Sequence, residues 1–353
     1  MHARPLCEEF PMTSLTNRRI VLASRPQGEP SADNFRIEDI AVPPTGHDQI
    51  LVRNRFLSLD PYMRGRMDDG PSYVAPVAID ALMEGGTVGE VIESNHADYH
   101  PGDLLVLPGG WQTHSLLTPK TPLRKLPQDD GLPPSTALGV YGMPGFTAYA
   151  GLHEIGKPQS GETLVVAAAS GPVGATVAQL ARLQGLRVVA IAGGEEKVRY
   201  LRDTLRVDVA LDHRADDFAE QLRAATPDGI DIYFENVGGK VFDAVLPQLN
   251  DFARIPVCGV IATYNSRGQV LPGPDRLPEF IGQLLRKRLT VRGFIQHDVI
   301  RLMPAFLREM GQWLREDKIQ YREHVLHGLD SAPQGLVDVL RGKNFGKAVV
   351  ALD

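Results

Sequence analysis

Between about residues 160 and 295 the chain alternates short apolar runs with stretches whose apolar positions recur every three or four residues. The runs are TLVVAAA, LRVVAIAG, VDVALD, IDIYFENV, ARIPVCGVI and LTVRGFI, beginning at Thr163, Leu186, Val207, Ile230, Ala253 and Leu289. Runs of this length read as strands, and helix-length segments between most of them make successive strands parallel. An α/β unit with a doubly wound, six-stranded parallel sheet is predicted. Before about residue 142 the pattern differs, with strand-like runs such as QILVRNRFLSL and GTVGEVIES broken by Pro, Gly, Asp and Asn. That pattern predicts an irregular, barrel-like β domain. The C-terminal part is helical through MPAFLREMGQWLREDKI and ends in GKNFGKAVVALD, whose last run is of the same kind as the first half. The parallel-sheet unit is therefore expected inside a split β domain. The expected division is an extension over 1–15, a β domain over 16–142, the parallel-sheet unit over 143–309, and a return to the β domain over 310–353.

Length agrees with two domains, since 353 residues exceed the ~250–300 at which one core stops growing. The formal net charge is −6 and the cations are scattered, leaving no basic stripe for a nucleic-acid partner. Cys7 and Cys258 are too few for a disulfide framework or a thiolate-rich metal site, which points to a reducing, cytoplasmic setting. MHARPLCEEFPM places Glu8 and Glu9 where a secretion signal needs an apolar run, so it reads as a disordered extension with Met12 a candidate start. No apolar stretch approaches the ~20 residues of a membrane helix, and a soluble protein is expected.

Chemistry enters at the first predicted strand. Ala169-Ser170-Gly171-Pro172-Val173-Gly174 matches the dinucleotide fingerprint with Ala in place of its first Gly. A strand from Thr163 to Ala168 precedes it, and a helix from about Pro172 to Gln184 follows, with Val173, Val177 and Leu180 on one face. Gly171 lets backbone approach a pyrophosphate and Gly174 lets helix and strand pack closely. The same letters also serve a tight turn without a ligand. After the second strand, Gly193 and Gly194 stand where an NAD site places an acid. The missing acid leaves room for a 2′-phosphate, with Lys197 or Arg199, and Arg214 beyond the third strand, as cations. Glu195 and Glu196 complement the next helix N-terminus.

Taken together and in order, VVAAASGPVGATVAQLA, EEKV, YFENVGGKVFDAVLP, CGVIATYN and GKNFGKAVV make the chain resemble the zinc-independent medium-chain dehydrogenase/reductases. Within them it is similar to the leukotriene B4 12-hydroxydehydrogenase and prostaglandin reductase group, and most to bacterial NADPH-dependent curcumin/dihydrocurcumin reductases. LASRPQGEPSADNFRIED, LSLDPYMRGRM and MPGFTAYAGL extend the match over residues 16–353. The resemblance implies a GroES-like catalytic domain built by both chain ends, a central Rossmann domain for NADPH, and a homodimer. It further implies reduction of a carbon–carbon double bond conjugated to a carbonyl in a small-molecule enone. Carried over residue by residue, Gly171, Pro172, Val173 and Gly174 take the pyrophosphate and Lys197 the 2′-phosphate. Asn236 to Gly239, and Cys258 and Gly259 to Tyr264, line the strand ends, and Asn344 reaches the cofactor from the returning chain. Where many relatives have Tyr near the adenosine phosphate, this chain has His213.

Zinc enzymes of the superfamily hold their metal with Cys and His. The corresponding segment here, LSLDPYMRG, offers Asp60 and Tyr62, and His96, His100 and His114 read as surface residues. Hydride delivery to the β-carbon of an enone spreads charge into an enolate that one hydrogen-bond donor can stabilise. Tyr264 is the first candidate donor, and Tyr62 the second or a pocket wall. Met143, Phe146 and Tyr149 suit core or pocket wall, core first. An NADPH quinone oxidoreductase shares these features, and a non-catalytic NADPH-binding sensor shares the cofactor site.

Overall fold

The computed structural model describes residues 15–128, 131–266, 269 and 274–352, so the expected N-terminal extension, apart from Leu15, lies outside the described residues. The six apolar runs form one parallel sheet from Thr163–Val166, Arg187–Ala192, Val209–Asp212, Ile230–Phe234, Leu249–Val257 and Thr290–Gly293. Numbered in chain order, these strands lie side by side as 3-2-1-4-5-6. The winding reverses between the first and fourth, and a crevice outside the C-terminal ends of strands at such a point is where ligands bind. Strand residues alternate between two cores. Leu164, Val166, Val188, Ala190, Ile232 and Phe234 join one, and Val165, Ala167, Val189, Ile191, Tyr233 and Ile255 the other. Both faces are covered, which is why the strands read as unbroken apolar runs.

Five strands from the first half, Ile50–Ser58, Thr87–Ser94, Leu104–Leu107, His114–Leu117 and Arg124–Leu126, share a second sheet with Glu323–His327 and Lys347–Ala351. Val349, Val350 and Ala351 pair antiparallel with Ser58, Leu57 and Phe56. Both chain ends thus build one β unit, as the GroES-like reading requires. The hairpin Thr16–Leu22 with Phe35–Ala41 packs Ile20 and Leu22 against Leu57, Trp111 and Val350. At the crossing, Lys347 is buried and donates to Asp60 Oδ1 at 2.8 Å and to the Leu59 carbonyl at 2.6 Å.

Helix Met303–Arg315 places Phe306, Met310 and Leu314 in the core of the parallel sheet beside Leu180 and Val188, and the chain joins the second sheet at Glu323. Phe146 and Tyr149, on helix Met143–Gly151, belong to that same core, with the Tyr149 hydroxyl donating to Glu309 at 2.9 Å. Of the histidines expected at the surface, His100 is exposed, while His96 and His114 are half-buried. His114 lies on a strand paired with Ile50–Ser58, and burial pushes its pKa down.

Candidate active site

At the end of the first parallel strand the expected run to Ala168 stops at Val166. Ala168 adopts a left-handed backbone (φ 51°), a strained conformation for a residue with a Cβ, and throws the chain into the turn that opens helix Pro172–Leu183. Gly171, the N-cap, donates its N–H to the Ala168 carbonyl at 2.9 Å. No side chain caps the helix, and Pro172 has no N–H to satisfy, so the remaining first-turn amides are available to an anion. Gly174 is buried where a Cβ would lie 2.6 Å from the Ala168 oxygen and 2.7 Å from Ala169 Cα. Only glycine lets this helix meet the turn so closely. Val173 is half-buried against the core.

Beyond the second strand, a Cβ on Gly193 would lie 2.8 Å from His213 Nε2 and 2.9 Å from Arg214 Nε. Those side chains fill the space an acid would need. Lys197, one turn into helix Glu195–Asp203, donates to the Gly342 carbonyl at 2.7 Å. Arg199 instead pairs with Glu195 at 2.5 Å. Burial, reinforced by the Arg214 charge, lowers the Lys197 pKa. The Arg214 guanidinium makes no hydrogen bond or ion pair among the described residues, and His213 Nδ1 is buried without a hydrogen-bond partner. Two repelling cations and an orphaned ring nitrogen around a glycine floor fit a phosphate monoester.

Asn236 and Cys258 meet at the ends of the fourth and fifth strands. Asn236 Nδ2 donates to the Ala167 carbonyl at 2.9 Å, and its oxygen accepts the Cys258 thiol at 2.7 Å. Burial pushes that thiol's pKa up, so it is a poor nucleophile. Glu235, which sequence reasoning missed, is buried and accepts from Val237 N, Gly238 N and the Tyr233 hydroxyl at 2.7, 2.8 and 3.0 Å. It shapes the turn that presents Asn236. A strand of alternating apolar residues ending in a single acid was the only local sign of it.

Tyr264 sits on the short 3-10 turn Ile261–Ser266, past the strand end. Its hydroxyl accepts from Val260 N–H at 3.4 Å and lies 3.0 Å from the Cβ that Gly259 lacks. Burial holds its pKa above the ordinary phenol value. The short helix Tyr62–Arg66 contacts this turn, which brings the segment carrying Tyr62 against the segment carrying Tyr264. Burial, then Asp60, raises the Tyr62 pKa also. The Arg66 guanidinium lies 5.8 Å from the centre of the Tyr62 ring and 4.6 Å from that of Tyr73. Asn344 donates to the Gly346 carbonyl at 2.8 Å, holding the loop whose Gly342 carbonyl receives Lys197.

Two family descriptions match the chain: an N-terminal domain of oxidoreductase over residues 18–125 and a zinc-binding dehydrogenase over residues 172–312. The chain is similar to the NADPH-dependent curcumin reductase of Escherichia coli, 57% identical over 335 residues that span 95% of this chain and 96% of that protein. It is also similar to the NADP(+)-dependent 2-alkenal reductase of Nicotiana tabacum, 40% identical over 95% of this chain and 97% of the relative. The crystal structure of CurA in complex with NADPH from Vibrio vulnificus superposes with a TM-score of 0.91 at 50% identity, covering 95% of this chain and 99% of that one.

Proposed function

The chain belongs to the medium-chain dehydrogenase/reductase family, and from that membership we propose that it is an NADPH-dependent reductase of the carbon–carbon double bond in α,β-unsaturated carbonyl compounds. Its relatives are named for reduction of curcumin, 2-alkenals and prostaglandins. The cofactor choice rests above all on Gly193, roofed by His213 and Arg214 where an NAD site would carry an acid. In this reading Gly171, Pro172, Val173 and Gly174 form the diphosphate turn, and Lys197, His213 and Arg214 surround the 2′-phosphate. Asn236, Cys258, Gly259 and Tyr264 border the nicotinamide end, closed by Asn344.

NADPH supplies the hydride when bound. Charge then grows on the substrate carbonyl oxygen, and the Tyr264 hydroxyl is the donor we assign to it. A phenol held above its ordinary pKa stays protonated and donates rather than abstracts. Tyr62, on the short helix packed against the Tyr264 turn, serves as wall and second donor. We propose that the reaction uses no metal. Asp60 is already engaged by Lys347, and among the described residues no three His, Cys, Asp or Glu side chains converge. NADPH consumption against a panel of enones and quinones, in the presence of a chelator, tests the function. Saturated ketone is the expected product. An allylic alcohol product, activity confined to quinones, or activity lost to the chelator and restored by zinc would overturn it.

Lys197→Ala is expected to weaken NADPH about tenfold and to leave NADH nearly unchanged, since a charge-assisted contact to phosphate is lost. Equal loss for both cofactors in a binding titration would make Lys197 a clasp for the Gly342 loop instead. Tyr264→Phe is expected to lower turnover on an enone roughly ten- to a hundredfold, or about 1.4–2.7 kcal/mol of activation energy, with NADPH affinity unchanged. Unchanged turnover removes the hydroxyl from the mechanism.

We also propose a homodimer. Thr290–Gly293 is the exposed edge strand of the parallel sheet, and the neighbouring helix Leu277–Arg286 exposes Leu277 (61%), Ile281 (50%) and Leu285 (77%) in one stripe. An unpaired edge beside an apolar stripe suits the self-complementary contact of a two-fold. Sedimentation equilibrium is expected to give twice the 38.6 kDa chain mass, and Leu285→Asp to give the single mass. No helix among the described residues is long and apolar enough to cross a membrane. We place the protein in the cytoplasm on its sparing use of cysteine, two in 353 residues.

A further inference from the structure

Arg322 and Tyr200 share a cavity with Ser170, Gly171 and Pro172, although they come from the returning chain and from the helix after the second strand. The Arg322 guanidinium lies 3.9 Å from the centre of the Phe345 ring. Phe345 meets Tyr200 edge-on, with ring centres 5.2 Å apart, and the Tyr200 hydroxyl is buried without a hydrogen-bond partner. Stacking on a ring occupies the face of a guanidinium and leaves its in-plane N–H groups free. Among the described residues the Arg322 guanidinium makes no hydrogen bond or ion pair.

The other charges on this wall are committed or muted. Lys347 is held by Asp60 and the Leu59 carbonyl. Glu323 accepts the Ser135 hydroxyl at 2.8 Å, and burial raises its pKa toward the neutral form. An uncommitted cation and an orphaned hydroxyl therefore face the Ser170–Pro172 turn that opens helix Pro172–Leu183. Neither Lys197 nor Arg214 lines this cavity, so the charge is aimed at a different group from the 2′-phosphate.

We propose that Arg322, backed by Phe345 and assisted by the Tyr200 hydroxyl, binds the diphosphate of the dinucleotide from the side opposite the Gly171 turn. The proposal rests on the NADPH reading above. The returning chain would thereby contribute a charge, besides Asn344, to a cofactor held mainly by the parallel-sheet unit.

The test is direct titration of NADPH, NADH and ADP against wild-type protein, Arg322→Gln, which keeps a flat group on Phe345, and Arg322→Lys, which keeps the charge. Arg322→Gln is expected to weaken NADPH and NADH by the same factor, about tenfold, and ADP with them. Arg322→Lys is expected to recover part of the loss, and melting of the cofactor-free proteins to be unchanged. Unchanged affinities overturn the proposal. A loss confined to NADPH also overturns it, by moving Arg322 to the 2′-phosphate. A loss matched by a lower melting temperature in both variants overturns it in favour of a packing role. Wild-type protein that binds neither dinucleotide would instead overturn the cofactor reading, and this assignment with it.

Discussion

Lys347→Met is expected to lower folding stability by about 3–5 kcal/mol, the cost of stripping one partner from a buried ion pair. Lys347 and Asp60 are only 3% and 5% exposed, and 287 residues of chain separate them. The Lys347 ammonium also satisfies the Leu59 carbonyl, and the Ser58 hydroxyl covers the second Asp60 oxygen. With the ammonium gone, a carboxylate remains in the interior with one hydroxyl to solvate it. The pair pins the returning strand to the segment that leads into Tyr62, so its loss should loosen the setting of Tyr62 as well as the fold. Adding Asp60→Asn to Lys347→Met is expected to recover much of the stability, because neither group is then charged. Urea unfolding of the two variants checks both statements. A single-variant loss below about 1 kcal/mol would show that strand pairing alone holds the chain end.

Gly174→Ala is expected to cost up to about 3 kcal/mol, the upper range for overpacking, and to weaken NADPH more than tenfold. The new methyl would sit 2.6, 2.7 and 2.9 Å from the Ala168 oxygen, Ala169 Cα and Ala168 carbonyl carbon. All three are backbone atoms of the strained turn, so relief requires the turn itself to move away from the cofactor. Gly171→Ala provides the contrast. Its nearest neighbour is the Ala168 oxygen at 3.2 Å, and a shift of a few tenths of an ångström accommodates it. Melting curves and NADPH titrations should therefore rank Gly174→Ala as the more damaging on both counts. Equal melting temperatures for the two would mean that the turn yields more easily than its contacts imply.

Much of the architecture is legible along the chain because its causes are local. Apolar runs of strand length, helical spacing between them and the Gly171–Gly174 turn predict the six parallel strands and a helix from about Pro172 to Gln184, and the structure has the six strands and a helix over Pro172–Leu183. The strand-like ending GKAVV predicts the return to the first sheet, and it pairs there with Leu57 and Ser58. The Arg199 ion pair is legible too, since Glu195 lies four residues before it on the same helix.

Other features have no local cause. Ala168 carries the left-handed turn although the fingerprint reserves its first glycine for the next position, because strand, turn and helix must all pack on Gly174. Asp60 reads as a lone acid in LSLDPYMRG, and becomes the counter-ion of a lysine near the other end of the chain. Glu235 reads as an ordinary strand-end acid, and is the buried acceptor that shapes the Asn236 turn. Arg322 and Tyr200 are unremarkable in sequence and meet only through Phe345. Periodicity and turn residues act over a few bonds, so the sequence alone determined the elements, the Gly171–Gly174 turn and the absence of an acid at Gly193. Charge and hydrogen bonding between distant segments depend on which segments the packed sheets bring within a few ångströms. The Lys347–Asp60 pair, the stacking of Arg322 on Phe345 and the contact between the Tyr62 and Tyr264 segments were therefore decided by the tertiary structure.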